Sequence, residues 1–98
     1  MTVTVRFAAA AERDLAEIAT YTEAEWGPLQ ARAYLVAIAD AVDRIAAFAG
    51  IGSPIGDVRS GYRKLRVERH NIYYRHQGTG IEIVRILHQR AEHLPKLQ

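Results

Sequence analysis

The sequence predicts an α+β domain in the order β-α-α-β-β-β, with a helical hairpin packed on one face of a largely antiparallel sheet. Two observations carry this. The apolar period changes from two to three or four after Phe7 and returns to two after Gly61. The last three apolar runs are joined by links so short that only antiparallel hairpins can form.

Thr2 to Phe7 alternates polar and apolar residues, with Val3, Val5 and Phe7 on one face, and reads as a first strand. From about Ala9 to Trp26 the apolar seam is Ala11, Leu15, Ile18, Thr22 and Trp26, as in an amphipathic helix. Gly27-Pro28 ends it, because glycine supplies a left-handed cap and proline cannot continue the hydrogen-bond ladder. Leu29 to Ala49 is a second helix, with a seam at Ala31, Tyr34 or Leu35, Ile38, Val42, Ile45 and Phe48, and Gly50 as its cap. The short link makes the two helices antiparallel neighbours. Seven alanines between Ala31 and Ala47 allow close helix approach and raise helix propensity, so they call for no functional explanation.

Ile51 to Ser60 is a glycine-containing connector. Three strands follow at about Tyr62 to Val67, Ile72 to His76 and Ile81 to His88, joined by Glu68-Arg69-His70-Asn71 and Gln77-Gly78-Thr79-Gly80. The last is apolar on both faces and is therefore expected in the interior of the sheet. Tyr73 and Tyr74 point to opposite faces, one into the core and one to the surface. Alternation places Tyr62, Lys64 and Arg66 on one face of their strand and Arg63, Leu65 and Val67 on the other.

At 98 residues the chain reads as one domain, 1–98, long enough for a single core. Cysteine is absent, which excludes disulfides and thiolate metal sites, and no run approaches the roughly 18 apolar residues of a membrane span. A cytoplasmic protein is expected, with no metal and no cofactor. The net charge of +2 hides an asymmetry: residues 59–98 hold nine Lys/Arg against three acids, and residues 1–58 hold four Arg against eight. Such a field steers association with acidic partners, either nucleic acid or an acidic protein segment.

Chemistry-bearing motifs are scarce. Ser53 and Ser60 sit in the connector without a nucleophile elbow, and the glycines around Ser53 do not open a helix as a phosphate loop must. His70, His76, His88 and His93 lack a chelating spacing. What stands out instead is Gly61-Tyr62-Arg63-Lys64-Leu65, then Ile72-Tyr73-Tyr74-Arg75, then Arg85-Ile86-Leu87-His88-Gln89-Arg90. Each places cations beside aromatic or branched residues, the composition of a sheet with one packed and one working face.

These runs, with the helical hairpin before them, resemble the ParE toxins of bacterial toxin–antitoxin pairs, within the ParE/RelE superfamily. The resemblance runs from Phe7 to Arg90. It implies the RelE/ParE-like fold and a toxin that stalls DNA gyrase by binding rather than by catalysis. It also implies a ParD-type antitoxin whose C-terminal segment covers apolar grooves, in a hetero-oligomeric complex. Tyr62, Arg63, Lys64, Arg75, Arg85, His88 and Arg90 are then the expected contacts to target or antitoxin, with no catalytic residue and nucleic acid touched at most indirectly. The alternatives are a RelE-type ribosome-dependent ribonuclease and an interaction module without toxicity. Against the ribonuclease, Lys64 and Arg90 match functional RelE-type positions, but Tyr62 replaces a lysine, Asn71 an arginine, and no tyrosine follows Arg90. Arg85, between Ile83 and Leu87, is expected either to pair internally, with Glu82 or an acid of the helical hairpin such as Asp40 or Asp43, or to face a partner groove.

Overall fold

A computed structural model of the chain describes residues 3–91. Strand β1 (Val5–Phe7) leads into helices α1 (Ala9–Trp26) and α2 (Pro28–Ala47). A 3₁₀ turn (Ala49–Ile51) and four strands follow: β2 (Ser53–Pro54), β3 (Tyr62–Val67), β4 (His70–Gln77) and β5 (Gly80–His88). The strands form one sheet in the order β1-β5-β4-β3-β2, antiparallel except where β1 runs parallel to β5. The α+β class and the interior position of the last strand agree with expectation. The connector adds a two-residue strand, β2, that periodicity could not reveal.

The helix break follows from local chemistry. Gly27 sits at φ 90°, its N–H bonded to the Glu23 carbonyl, and Pro28 opens α2 where no intrahelical N–H is needed. At its other end α2 stops earlier than expected. Phe48 turns extended at φ −151° and caps the helix, while Gly50 lies in the 3₁₀ turn.

The helices cover one face of the sheet. Ile38, Ile45, Ile72, Tyr74 and Ile83 are the largest of the fully buried side chains, each stabilising the fold by roughly 1.5–3 kcal/mol if packed fully. Two seam residues do not join the core: Trp26 and Phe48 stand 59% and 67% exposed at the ends of their helices. A second, smaller cluster on the opposite face contains Ile55, Tyr73 and Val84, flanked by Tyr62 and Leu87. Tyr73 and Tyr74 do point to opposite faces, yet both are buried, because the connector folds Ile55 back over Tyr73.

Strict alternation fails in β5. Tyr73 pairs with Arg85 and Tyr74 with Ile83, leaving Val84 as the extra residue of a β-bulge. The phase shifts there: Ile83 and Ile86 both reach the main core, whereas Val84 and Leu87 face the other side. Arg85 follows the bulge directly, paired with Tyr73.

Candidate functional site

The sheet divides the predicted contact residues between two surfaces. Tyr62, Lys64 and Arg75 lie on the open face, away from the helices, because Tyr62 pairs with Arg75 and Lys64 with Tyr73. Arg85 and His88 lie on the helix side. Arg63 bends inward and donates to the Gly52 carbonyl at 2.6 Å. Arg90 is exposed just beyond β5, and its backbone N–H donates to His88 Nδ1 at 3.1 Å. The seven residues thus form no single site.

On the helix side a groove of about 680 Å³ runs between the hairpin and the end of the sheet. Its wall is apolar, from Ile18, Tyr21 and Trp26 of α1 and Ala33, Tyr34 and Ala37 of α2. Its floor is polar, from Arg69, His70, Arg85 and His88. Tyr21 is 64% exposed, so two large aromatic side chains stand open along one helix without intramolecular cover. Exposed apolar surface of this kind marks an interaction site.

Arg85 is tied down within the groove. Its Nε donates to Asp14 Oδ2 at 2.8 Å and its Nη2 to Oδ1 at 2.9 Å, while the Ile86 N–H donates to Oδ2 at 2.9 Å. The bond to Asp14 raises the Arg85 pKa still further, against the opposing effect of burial. The partner is an acid of the helical hairpin, as expected, but it comes from α1 and is neither Glu82 nor the Asp40 or Asp43 of α2. Glu82 is on the open face with Arg75 and Arg6, at 2.9 and 3.5 Å. Asp14 was legible after all: Ala11, Asp14 and Ile18 share the helical spacing of the buried face, and an acid in that seam demands a cation.

Beside this pair, Tyr34 links α2 to the β3–β4 turn. The Arg69 N–H donates to its hydroxyl at 3.0 Å, and the hydroxyl and His70 Nδ1 share a hydrogen bond of 2.6 Å. Burial raises the Tyr34 pKa. Burial also lowers that of His70 to about 4, with the neighbouring His88 adding to the effect. His70 is consequently neutral near pH 7, and it meets the Tyr34 and His88 rings edge-on at 5.5 and 5.3 Å. No spacing or pattern in the sequence points to the Tyr34–His70 contact, which spans 36 positions. Among the described residues, no three His, Cys, Asp or Glu side chains are grouped to hold a metal ion.

The open face is different in kind. Arg59 and Arg75 place their guanidinium carbons 5.7 and 5.8 Å from the Tyr62 ring centroid, and Lys64 and Arg66 project outward along β3. Asn71, at the position where a RelE-type ribonuclease carries an arginine, is buried.

Comparison with known proteins agrees with this architecture. Toxin ParE1 of Mycobacterium tuberculosis is 44% identical over 84 residues, covering 85% of this chain and 86% of the relative. Toxin ParE1 of Caulobacter vibrioides is 38% identical over 84 residues, with 86% of each chain covered. Toxin ParE of Escherichia coli is 32% identical over 90 residues, covering 91% and 87%. A solved chain of a chromosomal ParDE toxin–antitoxin system from P. aeruginosa superposes with TM-score 0.77 at 24% identity, over 89% of this chain and 96% of that one. A chain of the RelBE2 toxin–antitoxin complex from Mycobacterium tuberculosis superposes with TM-score 0.61 at 21% identity, over 90% and 99%. Residues 5–92 match the family described as ParE toxin of type II toxin-antitoxin system, parDE, and the chain belongs to that family.

Proposed function

We propose that this toxin inhibits DNA gyrase by binding it, and so blocks replication, and that a ParD-type antitoxin neutralises it by laying an amphipathic segment into the groove between hairpin and sheet. The observation that carries the second half is the open pair Tyr21 and Trp26 above a polar floor. A helical segment with apolar anchors along one side and polar groups along the other would bury both rings and meet Arg69 and His88. Gyrase as the target is supported by membership of the family. Action by binding rather than catalysis is supported by the departures from the RelE-type pattern at Tyr62 and Asn71.

Two measurements test this. Supercoiling by purified gyrase should fall as the toxin is added and recover when the antitoxin is supplied; unchanged supercoiling at toxin excess would reject gyrase as the target. The melting temperature should climb with antitoxin, since a partner present at 100 times its dissociation constant and bound only to the folded state adds about 2.7 kcal/mol of apparent stability. A flat response, with binding shown independently, would reject the folded groove as the antitoxin's seat.

A further inference from the structure

We propose that the open face of the sheet binds the phosphate backbone of duplex DNA, without regard to base sequence. This goes beyond inhibition of gyrase by protein contact, and it can be tested without gyrase.

Five cations belong to this face: Arg6 on β1, Arg59 ahead of β3, Lys64 and Arg66 on β3, and Arg75 on β4. The acid among the strand residues of this face is Glu82, whose side chain is only 13% exposed because Arg6 and Arg75 both close on it. Counting the exposed Asp57 of the adjoining loop as well, cations still outnumber acids by five to two. Two of these cations are held in place, Arg75 by Glu82 and Arg66 by the Glu68 carbonyl and the Gln89 side chain, so part of the charge stands preorganised on the sheet. Lys64 and Arg66 are one two-residue strand step apart, roughly 6.7 Å, and project from the same face of β3.

The same face argues against other polyanions. Single-stranded nucleic acid is gripped by aromatic rings on which bases stack. Here Tyr73 is 5% exposed, and the Tyr62 ring is already occupied by Arg59 and Arg75. An acidic protein segment needs a desolvated apolar centre for affinity. The apolar residues at this centre, Ile55, Tyr73 and Val84, are instead buried by the chain itself, each at 8% exposure or less. Along the strands what remains exposed is charge, which suits phosphates and offers nothing that reaches into a groove to read bases.

The test is fluorescence anisotropy of a labelled duplex of about 20 base pairs, titrated with the full chain over a salt series. Weak binding is expected, with a dissociation constant on the order of 10⁻⁶ to 10⁻⁴ M near physiological salt. If Arg59, Lys64, Arg66 and Arg75 contact phosphates, the slope of log affinity against log salt should be about −3.6. Lys64→Glu with Arg66→Glu should flatten that slope by about 2 and weaken binding at least about tenfold at low salt. Arg32→Glu on α2 should change neither, and thermal melts should confirm that both variants fold. Absence of binding at low salt, or an unchanged slope in the double variant, would overturn the proposal. Tighter binding of a single strand of equal length would assign the face to stacking instead, and polyglutamate of matched charge binding as tightly as DNA would assign it to an acidic protein.

Discussion

Asp14 on α1 closes on Arg85 at the bulge of β5 with both carboxylate oxygens, and the same carboxylate accepts the Ile86 backbone N–H. One side chain therefore ties the helical hairpin to the point where β5 changes phase. The pair is nearly dry, at 9% and 17% side-chain exposure, so its strength lies in mutual satisfaction rather than in isolated charge.

Removing one member should be costly. Asp14→Ala leaves a desolvated guanidinium and an unpaired N–H, and about 3–5 kcal/mol of stability should be lost. Replacing Arg85 by Met in the same protein should restore part of it. Urea melts of the two single variants and the double one check this; strictly additive losses would show that the pair is not coupled.

Arg90 offers the contrast. It is exposed beyond β5, so Arg90→Glu should shift stability by no more than about 0.5 kcal/mol. Growth inhibition on induction should nevertheless disappear if Arg90 touches the target. Should Arg90→Glu unfold the protein, its role is structural.

Tyr74 and Gly52 form a second tie, beneath the 3₁₀ turn. The Gly52 N–H donates to the Tyr74 hydroxyl at 2.8 Å, and that hydroxyl donates to the Ala49 carbonyl at 2.7 Å. Tyr74→Phe strands both backbone groups and should cost about 1–3 kcal/mol. Gly52→Ala should be at least as damaging, because a Cβ would collide with the Tyr74 hydroxyl and stand 2.8 Å from the Lys64 carbonyl. Denaturant midpoints for both variants decide it.

His70 predicts a pH dependence. Its folded pKa of about 4 lies below the ordinary value of 6.5, chiefly through burial. The unfolded chain thus takes up a proton that the folded chain refuses between these values. Stability should be constant above about pH 6.5 and fall as the pH drops toward 5. Allowing for the partial exposure of the ring, the loss should be on the order of 1–2 kcal/mol. In His70→Gln, where Gln can still accept from Tyr34, melting temperatures between pH 7 and 5 should flatten.

In the groove, binding should separate from folding. Trp26→Ala and Tyr21→Ala remove largely exposed rings and should leave the melting temperature nearly unchanged. Each should weaken binding of the antitoxin by about 2 kcal/mol, or roughly 30-fold, if the rings are its anchors. Calorimetric titration of the two variants against the intact toxin supplies the comparison.

Much of this was legible in the sequence because it rests on local rules. Helix α1 was expected over Ala9–Trp26, and Gly27-Pro28 marks its end, since backbone conformation at glycine and proline depends on little beyond those residues. Strand β3 was expected over Tyr62–Val67 and is found there, because alternation of exposed and buried side chains is a property of the strand itself. The Gly-Tyr-Arg-Lys-Leu run pointed to the family. Tertiary structure alone decided which residues share a surface. The bulge at Val84 moved Leu87 away from Ile83, the connector buried Tyr73 on a face that alternation left open, and Asp14 met Arg85 across 71 positions. Periodicity describes a strand in isolation. A one-residue insertion in its pairing, a loop folded over its face and a partner from a distant helix are set by packing, and these divided the predicted contacts between a groove and an open basic sheet.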